Sequence, residues 1–115
     1  MTRLPVGIYK ITNNKNGKVY IGQSQNMYER WHQHHAALKS GRHPNKEMQK
    51  DWNKSSRGFR WDVVEYCSLE KLNEREKYWI DKYNSIEEGY NKGWVPFKRK
   101  NENKKTTPKR YGRLS

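Results

Sequence analysis

The sequence predicts an α+β domain with a small, mainly antiparallel β-sheet and helices packed on it. The hydrophobic pattern changes period along the chain and indicates the order strand, strand, helix, helix, strand, helix. The first two strands are separated by a segment containing Asn16-Gly17, a strong turn signal. A length of 115 residues suits one such domain with tails and is too short for two.

The predicted hairpin consists of residues 6–12 and 18–22. Asn and Gly both tolerate the positive φ that tight hairpin turns require, which explains the signal at Asn16-Gly17. Side chains alternate along a strand, so Tyr9 should lie on the face opposite Ile8, and Tyr20 on the face opposite Ile21.

The first helix is predicted over residues 27–39. Asn26 can cap its N-terminus and Glu29 follows three residues later, which is a capping-box arrangement. Ser40-Gly41 should end it. The residues at helical spacing that should face the core are Met27, Trp31, His35 and Leu38.

Three more elements follow. Residues 45–54 can form a shorter helix, and residues 59–66 are rich in aromatic and β-branched residues, which favours a strand. A third helix is predicted over residues 69–83, with Ser68 as its cap. Its inward side should carry Leu72, Glu76, Trp79, Ile80 and Tyr83.

The charge of the chain points to a polyanionic partner. Lys and Arg outnumber Asp and Glu by 25 to 12, a formal net charge of +13. Nucleic acid is the leading partner, since a membrane surface would require a basic amphipathic helix with a free apolar face. No signal segment or membrane span is present, and the single cysteine, Cys67, excludes an internal disulfide. We expect a soluble intracellular protein, with no obligate protein partner evident.

The hydrophobic pattern fades towards the C-terminus. We expect a folded domain over residues 1–93 and a basic tail or linker over residues 94–115. The tail contains one acidic residue, Glu102. Its basic residues could lie along phosphates, or they could belong to a solvated linker. They are Lys98, Arg99, Lys100, Lys104, Lys105, Lys109, Arg110 and Arg113.

Glu76 is the most informative single residue, because it occupies a helix position where an apolar side chain is expected. A buried carboxylate needs a cationic partner. That partner could be a basic side chain such as Arg75, which would make Glu76 part of a core ion pair. It could also be a hard divalent cation, which prefers anionic oxygen ligands.

Other candidate residues are ambiguous when taken alone. Arg30 and His34 lie four residues apart on the first helix, so they could bind one phosphate or belong to a solvated face. Tyr9 and Tyr20 could meet across the hairpin as packing residues. The four histidines could suggest zinc, but their directions differ and no Cys accompanies them. These histidines are His32, His34, His35 and His43.

Two triplets resolve much of this ambiguity. Gly7-Ile8-Tyr9 is separated by ten residues from Tyr20-Ile21-Gly22, and the two triplets together resemble the signature of the GIY-YIG nuclease family. The resemblance continues through Glu29-Arg30-Trp31, Glu76-Lys77-Tyr78-Trp79-Ile80 and Gly89-Tyr90-Asn91. It covers about residues 5–92 and is closest to the catalytic domains of phage and intron-encoded homing endonucleases. It implies a three-stranded antiparallel sheet flanked by helices.

The resemblance also implies roles for individual residues. Glu76 would be the ligand of Mg²⁺ or Mn²⁺, and Arg30 would bind phosphate. Asn91 would be the asparagine at the C-terminal end of the family pattern. Tyr9 would be the general base, and Tyr20 would orient water or phosphate. The other implied site residues are His34 on the helix and, as possible supporting residues, Lys18 and His43.

The implied reaction is the hydrolysis of double-stranded DNA by in-line attack of water, with one metal ion because there is a single well-placed carboxylate. Two other classes stay open. One is a nucleic-acid-binding module without catalysis, and the other is a structure-specific repair or restriction nuclease on the same scaffold. A bacterial or phage origin, with action in the cytoplasm or nucleoid, would suit the homing endonucleases. The chain could be a fragment of a longer protein or a minimal nuclease.

Overall fold

The computed structural model describes residues 6–97 of the chain. It contains a three-stranded antiparallel sheet with the strand order β2-β1-β3. The strands are β1 (Gly7–Asn13), β2 (Val19–Ser24) and β3 (Phe59–Tyr66), and the helices are α1 (Met27–Ser40), α2 (Lys46–Lys54) and α3 (Leu72–Tyr83). This confirms the predicted fold class and order of elements. Within residues 6–97, no helix is long and apolar enough to cross a membrane.

Strands β1 and β2 carry buried side chains on both faces of the sheet, whereas β3 is only partly buried. Tyr9 and Tyr20 belong to one cluster, into which α1 and α2 contribute Met27, Leu38 and Met48. Ile8 and Ile21 belong to the other cluster, which α3 covers with Leu72 and Ile80. The sheet therefore lies between α1 and α2 on one side and α3 on the other.

The hairpin turn differs in detail from the prediction. Gly17 adopts φ +80°, whereas Asn84 is the only non-glycine residue with positive φ in the described part of the chain. Asn16 therefore does not use its tolerance of positive φ. Its carboxamide oxygen instead accepts from the main-chain N–H of Lys18 at 2.9 Å, which also stabilises the turn.

Helix α1 begins and ends close to the predicted positions. The Asn26 side chain accepts from the main-chain N–H of Glu29 at 3.1 Å, and Gly41 ends the helix in the left-handed conformation. The second half of the capping box is absent, because the main-chain N–H of Asn26 donates to Ser24 Oγ at 2.9 Å instead.

The predicted inner face of α1 is wrong in its middle. The buried residues are Met27, Arg30, His34 and Leu38. Trp31 and His35 are half-buried, and their rings stack with centroids 5.2 Å apart. Arg30 and His34 therefore lie at the centre of the buried face of α1, which the prediction of an apolar stripe did not include. Their burial also contradicts the alternative that they belong to a solvated surface.

Helix α3 begins three residues later than predicted. Residues Leu69–Lys71 form a 3₁₀ turn, the α-helix starts at Leu72, and Ser68 makes no side-chain cap hydrogen bond. Leu72, Glu76 and Ile80 are buried as predicted. Trp79 is half-buried and Tyr83 is exposed, so the buried stripe is narrower than expected.

Candidate active site

The two signature tyrosines lie side by side under α1. Tyr9 is fully buried and Tyr20 is 3% exposed, with ring centroids 6.3 Å apart. The Tyr9 ring also stacks on Trp61 of β3, with centroids 4.3 Å apart. The hairpin and the third strand therefore hold the Tyr9 ring in one orientation.

Gly22 explains why a residue without a side chain stands opposite Tyr9. The two residues pair across β1 and β2. A Cβ atom added at Gly22 would lie 2.3 Å from the Tyr9 hydroxyl oxygen and 2.3 Å from Cζ, far inside van der Waals contact. The Tyr9 phenol thus occupies space that any side chain at Gly22 would take.

Replacing Gly22 with Ala is therefore expected to move the Tyr9 hydroxyl and to lower any cleavage activity at least tenfold, since misplaced catalytic groups lose about that much or more. Gly93→Ala is the matched control, because nothing lies within 4 Å of a Cβ there. Cleavage rate and thermal melting would be measured for both variants. Equal rates for Gly22→Ala and the parent protein would show that the position of the Tyr9 hydroxyl is not critical.

Two buried histidines extend from the Tyr9 hydroxyl. His34 Nε2 lies 2.8 Å from Tyr9 Oη, and His34 Nδ1 lies 2.8 Å from His43 Nε2. Burial lowers the pKa of His43 to about 4. Burial, together with the nearby His43 and Arg30, lowers the pKa of His34 well below its usual value. Both imidazoles are therefore neutral near pH 7.

Gln23 connects Arg30 on one side of the sheet to Glu76 on the other. The guanidinium Nη1 of Arg30 lies 3.4 Å from the main-chain oxygen of Gln23. The Gln23 side chain reaches the opposite face, where its Nε2 donates to Glu76 Oε1 at 2.8 Å. Strand β2 is an edge strand, so Arg30 and Glu76 converge around this edge.

Two neutral side chains donate to the Glu76 carboxylate. It is 2% exposed, and its Oε1 accepts from Gln23 Nε2 and, at 3.2 Å, from Trp94 Nε1. Arg75, considered above as the partner of Glu76, instead donates to Glu65 Oε1 at 2.8 Å. The core ion pair between Glu76 and Arg75 is therefore not formed.

Lys18 and Asn91 take part in other contacts. The Lys18 ammonium pairs with Glu47 of α2, and this hydrogen bond raises the pKa of Lys18. The Asn91 side chain accepts from the main-chain N–H of Ile21 at 2.8 Å and donates to the main-chain oxygen of Ile21 at 3.0 Å. Asn91 thereby binds the free edge of β2 at the middle residue of the Tyr20-Ile21-Gly22 triplet, and its Oδ1 also accepts from Ser85 Oγ at 2.8 Å.

Three residues of this site escaped the sequence analysis: Gln23, Asn73 and Trp94. Gln23 is 4% exposed and shares a strand face with the apolar Val19 and Ile21. A polar residue at the third position of that face is the sequence signal that could have revealed it. Asn73 accepts from Gln23 Nε2 at 2.8 Å and bonds the main chain of Phe97. Trp94 lies in the predicted tail, and no local pattern connects it to Glu76.

A family model describing the GIY-YIG catalytic domain matches residues 5–91. The chain belongs to the GIY-YIG family. Among known proteins, intron-associated endonuclease 1 of Enterobacteria phage T4 is 38% identical over 87 residues. The alignment includes 74% of this chain and 36% of the phage protein, so the chain spans about a third of that relative's length.

Two solved structures are also similar to this GIY-YIG domain. A variant of the catalytic domain of intron endonuclease I-TevI, with one glutamate replaced by alanine, superposes with a TM-score of 0.75 at 32% identity. The match covers 83% of this chain and all of that one. The catalytic domain of homing endonuclease I-TevI superposes with a TM-score of 0.69 at 33% identity, covering 74% of this chain and 95% of that one.

These comparisons confirm the predicted family and fold, and they support the prediction of an endonuclease. GIY-YIG nucleases generally use divalent metal ions. Within residues 6–97, no group of three or more His, Cys, Asp or Glu side chains is arranged to hold a metal. The tail residues predicted to bind nucleic acid, from Lys98 onwards, lie outside the described residues.

Proposed function

We propose that this GIY-YIG domain hydrolyses phosphodiester bonds of double-stranded DNA with one divalent ion, Mg²⁺ or Mn²⁺, bound at Glu76. The observation that carries the proposal is the convergence of Arg30 and Glu76 on Gln23 at the edge of the sheet. A guanidinium and a carboxylate at one strand edge can bind the same phosphate. The guanidinium would bind it directly, and the carboxylate would bind it through a cation. The family match supports the chemistry.

The donor set at Glu76 fits such an ion. Mg²⁺ prefers oxygen ligands and is commonly held by one or two carboxylates together with substrate phosphates and water. A single buried carboxylate meets this requirement, with DNA and water supplying the other ligands. When bound, the ion would act as a Lewis acid and stabilise the leaving 3′-oxygen.

Arg30 is the proposed phosphate-binding residue. It is 9% exposed, and a charge that is largely shielded from water attracts an anion more strongly than an exposed one does. A planar guanidinium can bind two phosphate oxygens at once and neutralise the charge that develops on them during attack.

Tyr9 is the proposed general base towards the attacking water, and Tyr20 the residue that orients water or phosphate. Lys18, which could have favoured the phenolate of Tyr9, is paired with Glu47 instead. Arg30 is a second cation near the tyrosines, and its positive charge contributes to the lowered pKa of the adjacent His34. A nearby positive charge favours an ionised phenol.

Cleavage of supercoiled plasmid tests the proposed function directly. We expect nicked or linear product with Mg²⁺ or Mn²⁺ and none with EDTA. Binding without cleavage under all metal conditions would favour a nucleic-acid-binding module without catalysis. Faster cutting of branched or flapped DNA than of plasmid would favour a structure-specific repair or restriction nuclease over the homing type. We also propose that the protein is of phage or bacterial origin.

Deleting residues 98–115 is expected to weaken DNA binding while leaving metal-dependent cutting intact. The deleted segment carries eight basic residues and one acidic residue. For each phosphate that the tail neutralises in the full chain, the deletion should reduce the slope of log K against log salt by about 0.9. The shortened chain keeps Phe97, whose main-chain N–H donates to Asn73 at 2.9 Å.

The measurement is DNA affinity at several salt concentrations for the full and shortened chains. Thermal melting of both proteins serves as the control for folding. Equal slopes would show that the tail does not bind phosphates and that it is a solvated linker.

A further inference from the structure

A continuous line of buried hydrogen bonds connects α2 to the Tyr9 hydroxyl. The main-chain N–H of Asn45 donates to His43 Nδ1 at 3.0 Å. His43 Nε2 lies 2.8 Å from His34 Nδ1, and His34 Nε2 lies 2.8 Å from Tyr9 Oη. The roles of donor and acceptor along this line follow from its first member.

A main-chain N–H can only donate, so His43 Nδ1 must accept and carries no proton. The single proton of neutral His43 is then on Nε2, which faces His34. His34 Nδ1 must therefore accept, and the proton of neutral His34 is on Nε2, which faces Tyr9. Each step leaves one possible tautomer, and Tyr9 Oη receives a hydrogen bond.

Charged forms do not fit the same line. If His43 were protonated, its Nδ1–H would face the Asn45 N–H, and two donors would meet. If His34 were protonated, its Nδ1–H would donate to His43 Nε2, while His43 Nδ1 accepts from Asn45. Both nitrogens of His43 would then be acceptors, which is possible only for an anionic imidazole. The geometry alone thus selects two neutral rings.

The start of the line is fixed by the cap of α2. Asn45 caps this helix by accepting from the main-chain N–H of Met48 at 3.0 Å, and its Nδ2 donates to the main-chain oxygen of Tyr90 at 2.7 Å. The main-chain N–H of His43 donates to Gln49 Oε1 at 2.9 Å. These contacts fix the positions of His43 and Asn45, so the Asn45 N–H stays directed at His43 Nδ1.

We propose that His34 acts on Tyr9 as a hydrogen-bond donor and not as the acceptor of its proton, and that His43 is a positioning residue that holds His34 in this tautomer. The proposal deepens the function proposed above and rests on it. For His34 to accept a proton from Tyr9, its own proton would have to be on Nδ1, which would force the proton of His43 onto Nδ1 against Asn45.

The consequence concerns the route of the proton. A hydrogen bond donated to the phenol oxygen favours its ionised form. The Tyr9 proton would leave towards solvent, and the phenolate would then take one proton from the attacking water. As the new phosphorus–oxygen bond forms, the bond from phosphorus to the 3′-oxygen breaks, and the leaving oxygen takes a proton from solvent. Neither His34 nor His43 takes up a proton in this scheme.

The first test determines the tautomers by nitrogen-15 NMR of the histidine side chains in the full chain, near pH 7, without DNA or metal. We expect His34 and His43 to carry their protons on Nε2. A proton on His34 Nδ1, or a charged His34, would overturn the proposal. This measurement is independent of cleavage, so it separates failure of the proposal from failure of the proposed function.

A positioning role for His43 predicts a change that a merely structural role does not. His43→Phe keeps a ring that can stack on His34, where the present centroids are 5.0 Å apart, but removes the donor. We expect His34 to become a mixture of both tautomers and the kcat for plasmid cleavage to fall about tenfold or more, with little change in KM. An unchanged His34 tautomer would contradict the role of His43.

Substitution of His34 separates donation from proton acceptance. Gln at this position can present an N–H to Tyr9 but cannot take up a proton, whereas Ala can do neither. We expect His34→Gln to cut DNA at least about tenfold faster than His34→Ala. The control is His32→Gln, at an exposed position of α1, which should cut at the same rate as the parent protein. Equal loss in the Gln and Ala variants, with both folded by thermal melting, would overturn the donor role.

Discussion

Replacing Glu76 with Gln is expected to lower metal-dependent DNA cleavage by about a thousandfold or more, because the substitution removes the carboxylate proposed to bind the ion. DNA affinity should stay nearly unchanged, since the basic residues of the chain remain. The carboxamide oxygen of Gln can still accept from Gln23 and Trp94, which now donate to Glu76 Oε1. The fold should therefore persist, and removing a buried charge can even raise its stability.

A matched control is available on the same helix. Glu74→Gln makes the same chemical change at an exposed position, where the Glu74 side chain is 65% exposed. Plasmid cleavage at several Mg²⁺ concentrations, DNA affinity and thermal melting would be compared for both variants. Undiminished cutting by Glu76→Gln would place the metal elsewhere and remove the basis of the proposed site.

The sheet was predictable because its pattern is local. Side chains alternate on every strand, so the positions of Tyr9 and Ile8 on opposite faces follow from parity alone. Likewise, Asn26 and Gly41 mark the ends of α1 with residues whose preferences act within one helical turn. Such features require no knowledge of what the element packs against.

The inner face of α1 was predicted wrongly for the opposite reason. Helical periodicity assigns apolar residues to the core, and Trp31 fits that pattern better than Arg30 or His34. The structure buries Arg30 and His34 because their partners, Gln23 and Tyr9, come from the sheet. Sites of function break local rules in this way, since their polar groups are satisfied by residues distant in sequence.

The segment after α3 shows a second limit of local patterns. Its hydrophobic periodicity is weak, yet the main-chain N–H of Tyr90 donates to the main-chain oxygen of Val19 at 2.9 Å, and Asn91 bonds both main-chain groups of Ile21. The segment thereby covers the edge of β2. These contacts join residues about 70 positions apart. Only the resemblance to the GIY-YIG family singled out Asn91 beforehand.

Replacing Tyr9 with Phe is the second change for which we expect a large effect. It removes the hydroxyl that would accept the proton of the attacking water, and general base catalysis typically contributes about 10²–10⁴-fold to a rate. The Tyr9 ring stacks on Trp61 with centroids 4.3 Å apart. A Phe ring can keep this contact, so the hairpin should stay folded. His34 Nε2 would lose its acceptor, which costs stability as well.

The comparison with Tyr20→Phe decides between the two tyrosines, because burial does not distinguish them. Tyr20 lies in the same cluster, with its ring centroid 5.4 Å from that of His34. We expect Tyr20→Phe to lose less activity than Tyr9→Phe, and Tyr28→Phe, at a side chain 72% exposed on α1, to cut like the parent. Single-turnover cleavage at saturating protein would isolate the chemical step from binding. If Tyr9→Phe cuts normally while Tyr20→Phe does not, Tyr20 is the base and the hydrogen bond from His34 to Tyr9 serves the fold.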